Sequence, residues 1–286
     1  MAEPLASVII ATRNRASLVG RAIGSVVSQS FPDWELVVVD DASTDTTSEE
    51  LRKLRERDAR MRYVRNEVQI GIAKSHNRAI GEARGKYIAV LDDDDWWAVT
   101  DKLVLQVKFL EENPAYVLVG GGVVVVDEKG QERYRYLKPE HDAQIRNVAL
   151  FANPMAHSTV LYRKEAALRV GLYDASYNGH AADRALFLRL GRMGKLYNFQ
   201  DYLAYYTLGV QNMFLSHQRM QLKASLMHMK KYREGYPYFL PALCLNCAVY
   251  LYTFLPQQMR EPLNASLVYL KRIMFDRVRP RNIREA

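Results

Sequence analysis

Tyr87-Ile88-Ala89-Val90-Leu91-Asp92-Asp93-Asp94-Asp95-Trp96-Trp97 is the stretch on which the reading of this chain turns. Its five leading apolar residues, bounded by Gly85, predict a short strand with no polar face, the pattern of a strand covered on both sides. Four carboxylates follow without a break. Adjacent like charges repel, and two arrangements relieve them: full solvation in a surface loop, or a hard divalent cation bound through oxygen. Two large indoles directly after the acids do not suit a water-filled turn, and ligands of open α/β sheets bind at the carboxyl ends of strands. The run reads as a site for a metal and phosphate.

Upstream, Ser7-Val8-Ile9-Ile10-Ala11, Trp34 to Val39 and Met61 to Val64 predict three more strands of the same buried kind. Helical patterns at Ala16–Ser28, Thr46–Arg57 and Ile72–Ala83 separate them. Strand and helix in alternation predict a parallel sheet with right-handed crossovers. The strand ends carry Thr12-Arg13-Asn14, Asp40-Asp41 and Asp92 to Asp95, so polar groups converge on one edge. Downstream, Asp101 to Glu111 predicts a helix, and Val117–Val119 and Val123–Val126 predict two paired strands flanking Gly120-Gly121-Gly122. A short strand is expected at Ser158–Tyr162, a helix opening at Asp183 and running through Leu190, and a last strand at Leu203–Thr207.

The chain has 286 residues, 49% apolar and 25% charged, enough for one large α/β domain with an appendage. Net charge is +8, concentrated at the end, where Lys271, Arg272, Arg277, Arg279, Arg281 and Arg284 face only Asp276 and Glu285. Such a tail suits anionic lipid headgroups; no nucleic-acid partner is expected. Tyr236 to Phe254 is almost wholly apolar but short for a span of about 20 residues and contains Pro241 and Asn246. It is expected to pack on the domain or lie in a membrane interface. Cys244 and Cys247 form a lone C-x-x-C within this stretch and are expected to be core thiols, in keeping with a reducing compartment. No signal peptide is read at Met1-Ala2-Glu3-Pro4, so a cytoplasmic location is expected, peripheral on the inner face of the cell membrane if the apolar stretch lies there.

Taken together, Ser7–Arg15, Val37–Asp45, Gly85–Ala89 with Leu91–Asp95, Asp101-Lys102-Leu103, Asn153-Pro154, His157-Ser158 and Gly171–Asp174 resemble the family 2 glycosyltransferases of GT-A fold. The likeness covers about residues 6 to 210. It implies a Rossmann-like mixed, mainly parallel sheet flanked by helices, followed by a C-terminal helical extension. Residues 1–215 would form the transferase domain, with 1–115 binding the nucleotide sugar and 116–215 facing the acceptor; 216–286 would be the apolar and basic extension. The resemblance further implies a nucleotide-diphosphate sugar donor (a UDP-sugar first among these), Mg²⁺ or Mn²⁺, and displacement with inversion at the anomeric carbon. The acceptor would be a glycan or a lipid-linked glycan, as in polysaccharide or glycolipid synthesis.

By that likeness Asp41 takes the nucleotide base, with Ala11 and Arg13 in the same pocket, and Asp92 turns toward the ribose. Asp93 and Asp94 match the D-x-D end, Asp94 as the metal ligand. Asp183 matches the general base, and His157 an acceptor-side histidine. Arg13 stands where an aromatic is common, Ala182-Asp183 where Glu-Asp is common, and one extra residue lies between Trp97 and Asp101. The chemistry fits independently: a departing nucleoside diphosphate gains negative charge that a divalent cation stabilises, and an attacking hydroxyl must give up a proton to a positioned base. Asp183 has an alternative reading as a helix N-cap. Trp96 and Trp97 could stack on sugar or simply fill the core. Gly209-Val210-Gln211-Asn212 could close over the donor. A dinucleotide-dependent oxidoreductase is disfavoured because the loop after the first strand, Ala11 to Arg15, contains no glycine. A non-catalytic glycan-binding or membrane-assembly module on the same fold is the remaining alternative.

Overall fold

The structure, a computed structural model, describes residues 3–208, 218–256, 258 and 275–279, with backbone alone for 177–178 and 277–279. Gly209-Val210-Gln211-Asn212 and most of the basic tail lie outside the described residues. Four parallel strands form the first half of the sheet: β1 (Ala6–Thr12), β2 (Trp34–Asp40), β3 (Met61–Arg65) and β4 (Tyr87–Val90). Their order is β3-β2-β1-β4. Helices α1 (Ala16–Val27), α2 (Thr47–Arg57) and α3 (Ile72–Glu82) make the crossovers.

Alternation along these strands explains why they read as unbroken apolar runs. Val8, Ile10, Leu36, Val38, Tyr87 and Ala89 pack against α1 and against α4 (Lys102–Glu112) on one face. Ile9, Val37, Val39, Ile88 and Val90 pack on the other, against α3 and against α7 (Ala182–Leu190). Both pleat faces are therefore dry, and each inward side chain contributes about 1.5–3 kcal/mol of burial.

Past β4 the sheet turns antiparallel. Strand β8 (Leu161–Arg163) lies between β4 and β6 (Tyr116–Asp127), and β7 (Glu132–Leu137) follows β6. The long β9 (Lys195–Leu208) runs parallel to β6 and holds the two-residue β5 (Trp96–Trp97), which fastens the end of the acid run. Helices α5 (Asp142–Ala149) and α6 (Lys164–Arg169) complete this half, and α8 (Gln218–Lys231) and α9 (Phe239–Tyr252) follow it.

Three sequence expectations change. The two valine strands are one strand, β6, running straight through Gly120–Gly122, with its pairing to β9 shifting register there. A Cβ on Gly121 would come within 2.5 Å of Leu203, and one on Gly122 within 2.4 Å of Leu137, so the glycines admit neighbours into a continuous strand rather than interrupting it. The expected strand at Ser158–Tyr162 opens instead as a 3-10 turn, His157–Thr159, before β8. The expected C-terminal helices are present as α8 and α9, and β10 (Arg277–Arg279) adds an antiparallel edge strand to β7. Cys247 packs inward, but Cys244 is exposed rather than a core thiol.

Two consequences of this packing are measurable. A Cβ on Gly85 would sit 2.6 Å from the Ser7 backbone nitrogen and 2.8 Å from the Ala6 carbonyl carbon, atoms of β1 that cannot move aside. Gly85→Ala is expected to lower unfolding stability by about 1–3 kcal/mol, the usual cost of overpacking, read by urea denaturation; parent-like stability would show that the loop before β4 yields.

Lys102 is fully buried, with its Nζ donating to Gln106 Oε1 at 2.7 Å and lying 4.1 Å from the Trp97 ring centre. Burial holds this amine well below its ordinary 10.5. It therefore binds a proton more weakly in the folded than in the unfolded chain, and stability rises with pH from the folded pKa up to about 10.5, by at most about 1.4 kcal/mol per unit. Lys102→Met is expected to flatten that rise on the approach to pH 10.5 from below. An unchanged slope would assign it to another group.

Candidate active site

Asp92 to Asp95 leave the end of β4 and divide their tasks. Asp95 is 1% exposed; its Oδ1 accepts from the Thr207 amide at 2.9 Å and its Oδ2 from Ser158 Oγ, tying the run to β9 and to the 3-10 turn. It is a structural carboxylate. Asp94 has its carbonyl oxygen held by Arg21 Nη2 at 3.0 Å and by Thr207 Oγ1, which leaves the side chain uncommitted to that clamp. Asp93 faces Arg15, whose Nε lies 3.9 Å from Oδ1.

Asp92 accepts from Ser158 Oγ at 3.1 Å and pairs with His157 Nδ1 at 2.9 Å. The other ring nitrogen of His157 meets Tyr173 Oη at 2.9 Å. His76 stacks on Tyr173 and stands edge-on to His157, with ring centres 5.0 and 5.3 Å apart.

Charge in this corner is unbalanced. Burial, then the neighbouring Asp94, pushes the Asp93 carboxyl up to about 7; burial and Asp92 push Asp94 up to about 6. Asp95 is raised for the same two kinds of reason. Asp92 goes the other way, to about 2, because the charge and hydrogen bond of His157 outweigh its burial. His157 is raised in return, Asp92 outweighing burial, while burial and His157 bring His76 down to about 3. Carboxyls raised by burial and mutual repulsion mark a place short of positive charge, and all-oxygen donors suit a hard cation such as Mg²⁺ or Mn²⁺. Beside it, His76, Asp92 and His157 bring one ligand atom each within 4.8 Å of one another, a nitrogen-rich set better matched to Zn²⁺.

Asp183 lies in the first turn of α7, whose first helical residue is Ala182 and whose preceding Ala181 is left-handed at φ 52°. Its carboxylate makes no capping bond; Oδ2 accepts instead from Asn153 Nδ2 at 2.6 Å. The N-cap alternative therefore falls away. Buried arginines anchor this helix: Arg184 donates to the Ala149 carbonyl at 3.0 Å, and Arg189 to the carbonyls of Val170 and Leu172. The charges of Asp92 and Asp183 both act on His157 and on Tyr173.

At the tip of β2, Asp41 is 4% exposed. Its oxygens accept from Asn66 Nδ2 at 2.7 Å, the Ile70 amide at 2.9 Å and the Gly71 amide at 2.8 Å, shaping the loop into α3. A carboxylate offers about four acceptor sites, so one remains for a ligand donor. Ala11 is buried in β1 beside Val39, and Arg13 is exposed just beyond the strand. Neither indole is open to a sugar: Trp97 is 4% exposed and donates to the Ser158 carbonyl, and Trp96 is sandwiched between Arg21, 3.7 Å from its centre, and Tyr205.

Asn153, Ser158, Tyr173 and His76 are the residues that sequence reasoning gave no role. The first three stand in stretches already singled out, but His76 sits in an ordinary helical stripe. A cavity of about 700 Å³ beside Arg146, Gly191, Lys195 and Glu234 includes none of these side chains.

Residues 7–171 match the model of Glycosyl transferase family 2, more than half of the chain. The chain belongs to that family of glycosyltransferases. The provisionally named glycosyltransferase EpsE of Bacillus subtilis (strain 168) is 32% identical over 206 residues, 70% of this chain and 72% of that one. The UDP-Glc:alpha-D-GlcNAc-diphosphoundecaprenol beta-1,3-glucosyltransferase WfgD of Escherichia coli is 33% identical over 125 residues, 44% of this chain and 48% of WfgD. The match thus spans about half the length of WfgD, and it likewise covers 50% of another B. subtilis relative, the provisionally named teichuronic acid biosynthesis glycosyltransferase TuaG. Among solved structures, the mannosyltransferase PcManGT of Pyrobaculum calidifontis, in complex with GDP-Man and Mn²⁺, aligns with TM-score 0.64 at 19% identity, covering 96% of this chain and 83% of its own. TarS 1-349 of S. aureus with UDP-GlcNAc aligns at 0.62 and 20%, covering 86% and 71%. The shared architecture is the GT-A fold, a curled, mainly parallel mixed sheet.

Proposed function

We propose that the chain transfers a sugar, with inversion, from a nucleotide-diphosphate sugar to an acceptor hydroxyl in polysaccharide or glycolipid synthesis. The observation that carries this reading is the crowding of two raised carboxyls, Asp93 and Asp94, at the end of β4 beside Asp92 and its partner His157, a residue that also feels the charge of Asp183. Asp41, Ala11 and Arg13 would receive the nucleotide, with Asp41 offering its free acceptor site to a base N–H. A UDP-sugar is the first donor to test, since UDP-GlcNAc fills the TarS structure and UDP-Glc is in the name of WfgD.

Asp94, with Asp93 beside it, would hold Mg²⁺ or Mn²⁺. When bound, that ion stabilises the negative charge left on the departing diphosphate. The acceptor oxygen attacks the anomeric carbon from the face opposite the phosphate, the carbon–oxygen bond to the phosphate breaks with its electron pair leaving on the diphosphate, and the hydroxyl proton passes to Asp183. Asn153 orients the Asp183 carboxylate. His157 has both ring nitrogens engaged by protein, so it acts on the substrate through Asp92, which it keeps ionised and turned toward the ribose.

The diphosphoundecaprenol in the name of WfgD supports a lipid-linked acceptor and, with it, a place on the inner face of the cell membrane. Calorimetric titration with UDP-, GDP- and dTDP-sugars, with and without Mn²⁺, tests the reading. One donor should bind in a metal-dependent way and be hydrolysed slowly without acceptor. No response to any donor would favour the non-catalytic module.

A further inference from the structure

Between Phe239 and Tyr252, α9 contains no charged residue. Its inner face, with Phe239, Ala242, Leu243 and Tyr250, packs on Leu226 and Met229 of α8 and on Leu150. The opposite face is equally apolar but faces outward. Leu240 is 69% exposed and Leu251 66%, with Pro241, Cys244 and Ala248 exposed between them. Tyr238 and Phe254, each 55% exposed, flank the two ends.

A surface helix normally turns polar residues outward; one apolar all round belongs in a core or against lipid. Fourteen residues at 1.5 Å each reach about 21 Å, short of a hydrocarbon layer of about 30 Å, and among the described residues no helix is long and apolar enough to cross a membrane. The remaining geometry is a helix lying in the plane of the interface, with aromatic side chains at its ends. Charge supports the same partner. Helix α8 is joined to α9 by Arg219, which donates to the Thr253 carbonyl at 2.7 Å. It exposes Met220, Lys223, Met227 and Lys230 at successive helical turns, cations interleaved with thioethers.

We propose that the outer face of α9, flanked by the α8 lysines, seats in the headgroup layer of an anionic bilayer and holds the enzyme at the membrane surface. The reaction proposed above supplies a reason for such docking, but the docking itself is measurable without donor or acceptor.

The test is sedimentation of the full chain with vesicles of phosphatidylglycerol and phosphatidylethanolamine, against vesicles of phosphatidylcholine. Binding to the anionic vesicles, weakening as salt rises, is expected. Leu240→Glu with Leu251→Glu should weaken partitioning about 100-fold, roughly tenfold for each leucine lost from lipid. Lys223→Gln with Lys230→Gln should weaken it about 25-fold at low salt, near fivefold per charge. Both pairs are exposed, so circular dichroism and the thermal midpoint should match the parent. A parent chain that ignores anionic vesicles, or a leucine variant that binds as well as the parent, overturns the proposal. So does light scattering that shows a parent dimer, made monomeric by the leucine changes, with no lipid binding: a second copy would then cover the face. Donor titration separates the two readings, since vesicle binding without any donor response would sink the transferase assignment and leave the docking surface standing.

Discussion

Asp183→Asn is expected to bind the nucleotide-sugar donor as the parent does and to transfer sugar about 10²- to 10⁴-fold more slowly, the usual contribution of a positioned general base. The substitution keeps shape and removes the proposed proton acceptor. In the parent, Asn153 Nδ2 donates to Asp183 Oδ2; the new amide can turn its oxygen to the same donor, so α7 should keep its place. The buried Arg184 and Arg189 also hold α7 to carbonyls outside itself, independently of position 183. The loss should therefore fall on turnover, with donor affinity and thermal midpoint unchanged. Stopped assays giving kcat, set beside calorimetric donor affinity, read both. Transfer at the parent rate would place the base elsewhere.

The parts of this molecule legible in the sequence are those where one local pattern has one physical solution. Val37-Val38-Val39 cannot be stable in water and is too short for a helix, so it becomes a strand covered on both faces, and the acids following such strands fall on one sheet edge. Asp183 was legible as a carboxylate at the head of a helix, although its freedom from capping depends on Asn153, thirty positions away. Partnerships of that range were not legible. Nothing local separates Asp95, consumed by Thr207 and Ser158, from Asp94 beside it. His76 reads as one more helical position until folding places it against Tyr173. Gly120–Gly122 looks like a break because glycine favours turns; its function here is to let Leu137 and Leu203 approach β6, which only the packed sheet reveals. The apolar stretch around α9 showed its composition but not which of its faces would be left outward.

Asp94→Ala is expected to weaken Mn²⁺-dependent donor binding by more than about 100-fold, since even outer-shell partners of a metal are worth 10- to 100-fold, and to abolish transfer. Stability should move differently. Asp94 is one cause of the raised Asp93 carboxyl, so removing it relieves repulsion between adjacent acids, at the cost only of the side chain's bond to its own backbone amide and its attraction to Arg15 and Arg21. The clamp that Arg21 and Thr207 apply to residue 94 acts on its backbone carbonyl, which alanine retains. The variant should thus melt at or slightly above the parent's midpoint without metal, and lose the upward shift that Mn²⁺ with donor gives the parent. Asp95→Ala supplies the contrast: it takes the acceptor from the buried Thr207 amide and leaves Ser158 Oγ with Asp92 alone, and should lower the midpoint with or without metal, by about 1–3 kcal/mol for the amide left unpaired. Thermal scans of the three proteins, with and without Mn²⁺ and donor, distinguish a carboxylate that holds the cation from one that holds the loop. An Asp94→Ala protein that still gains the full metal-dependent shift would move the cation to another set of ligands, with His76, Asp92 and His157 the next to be changed.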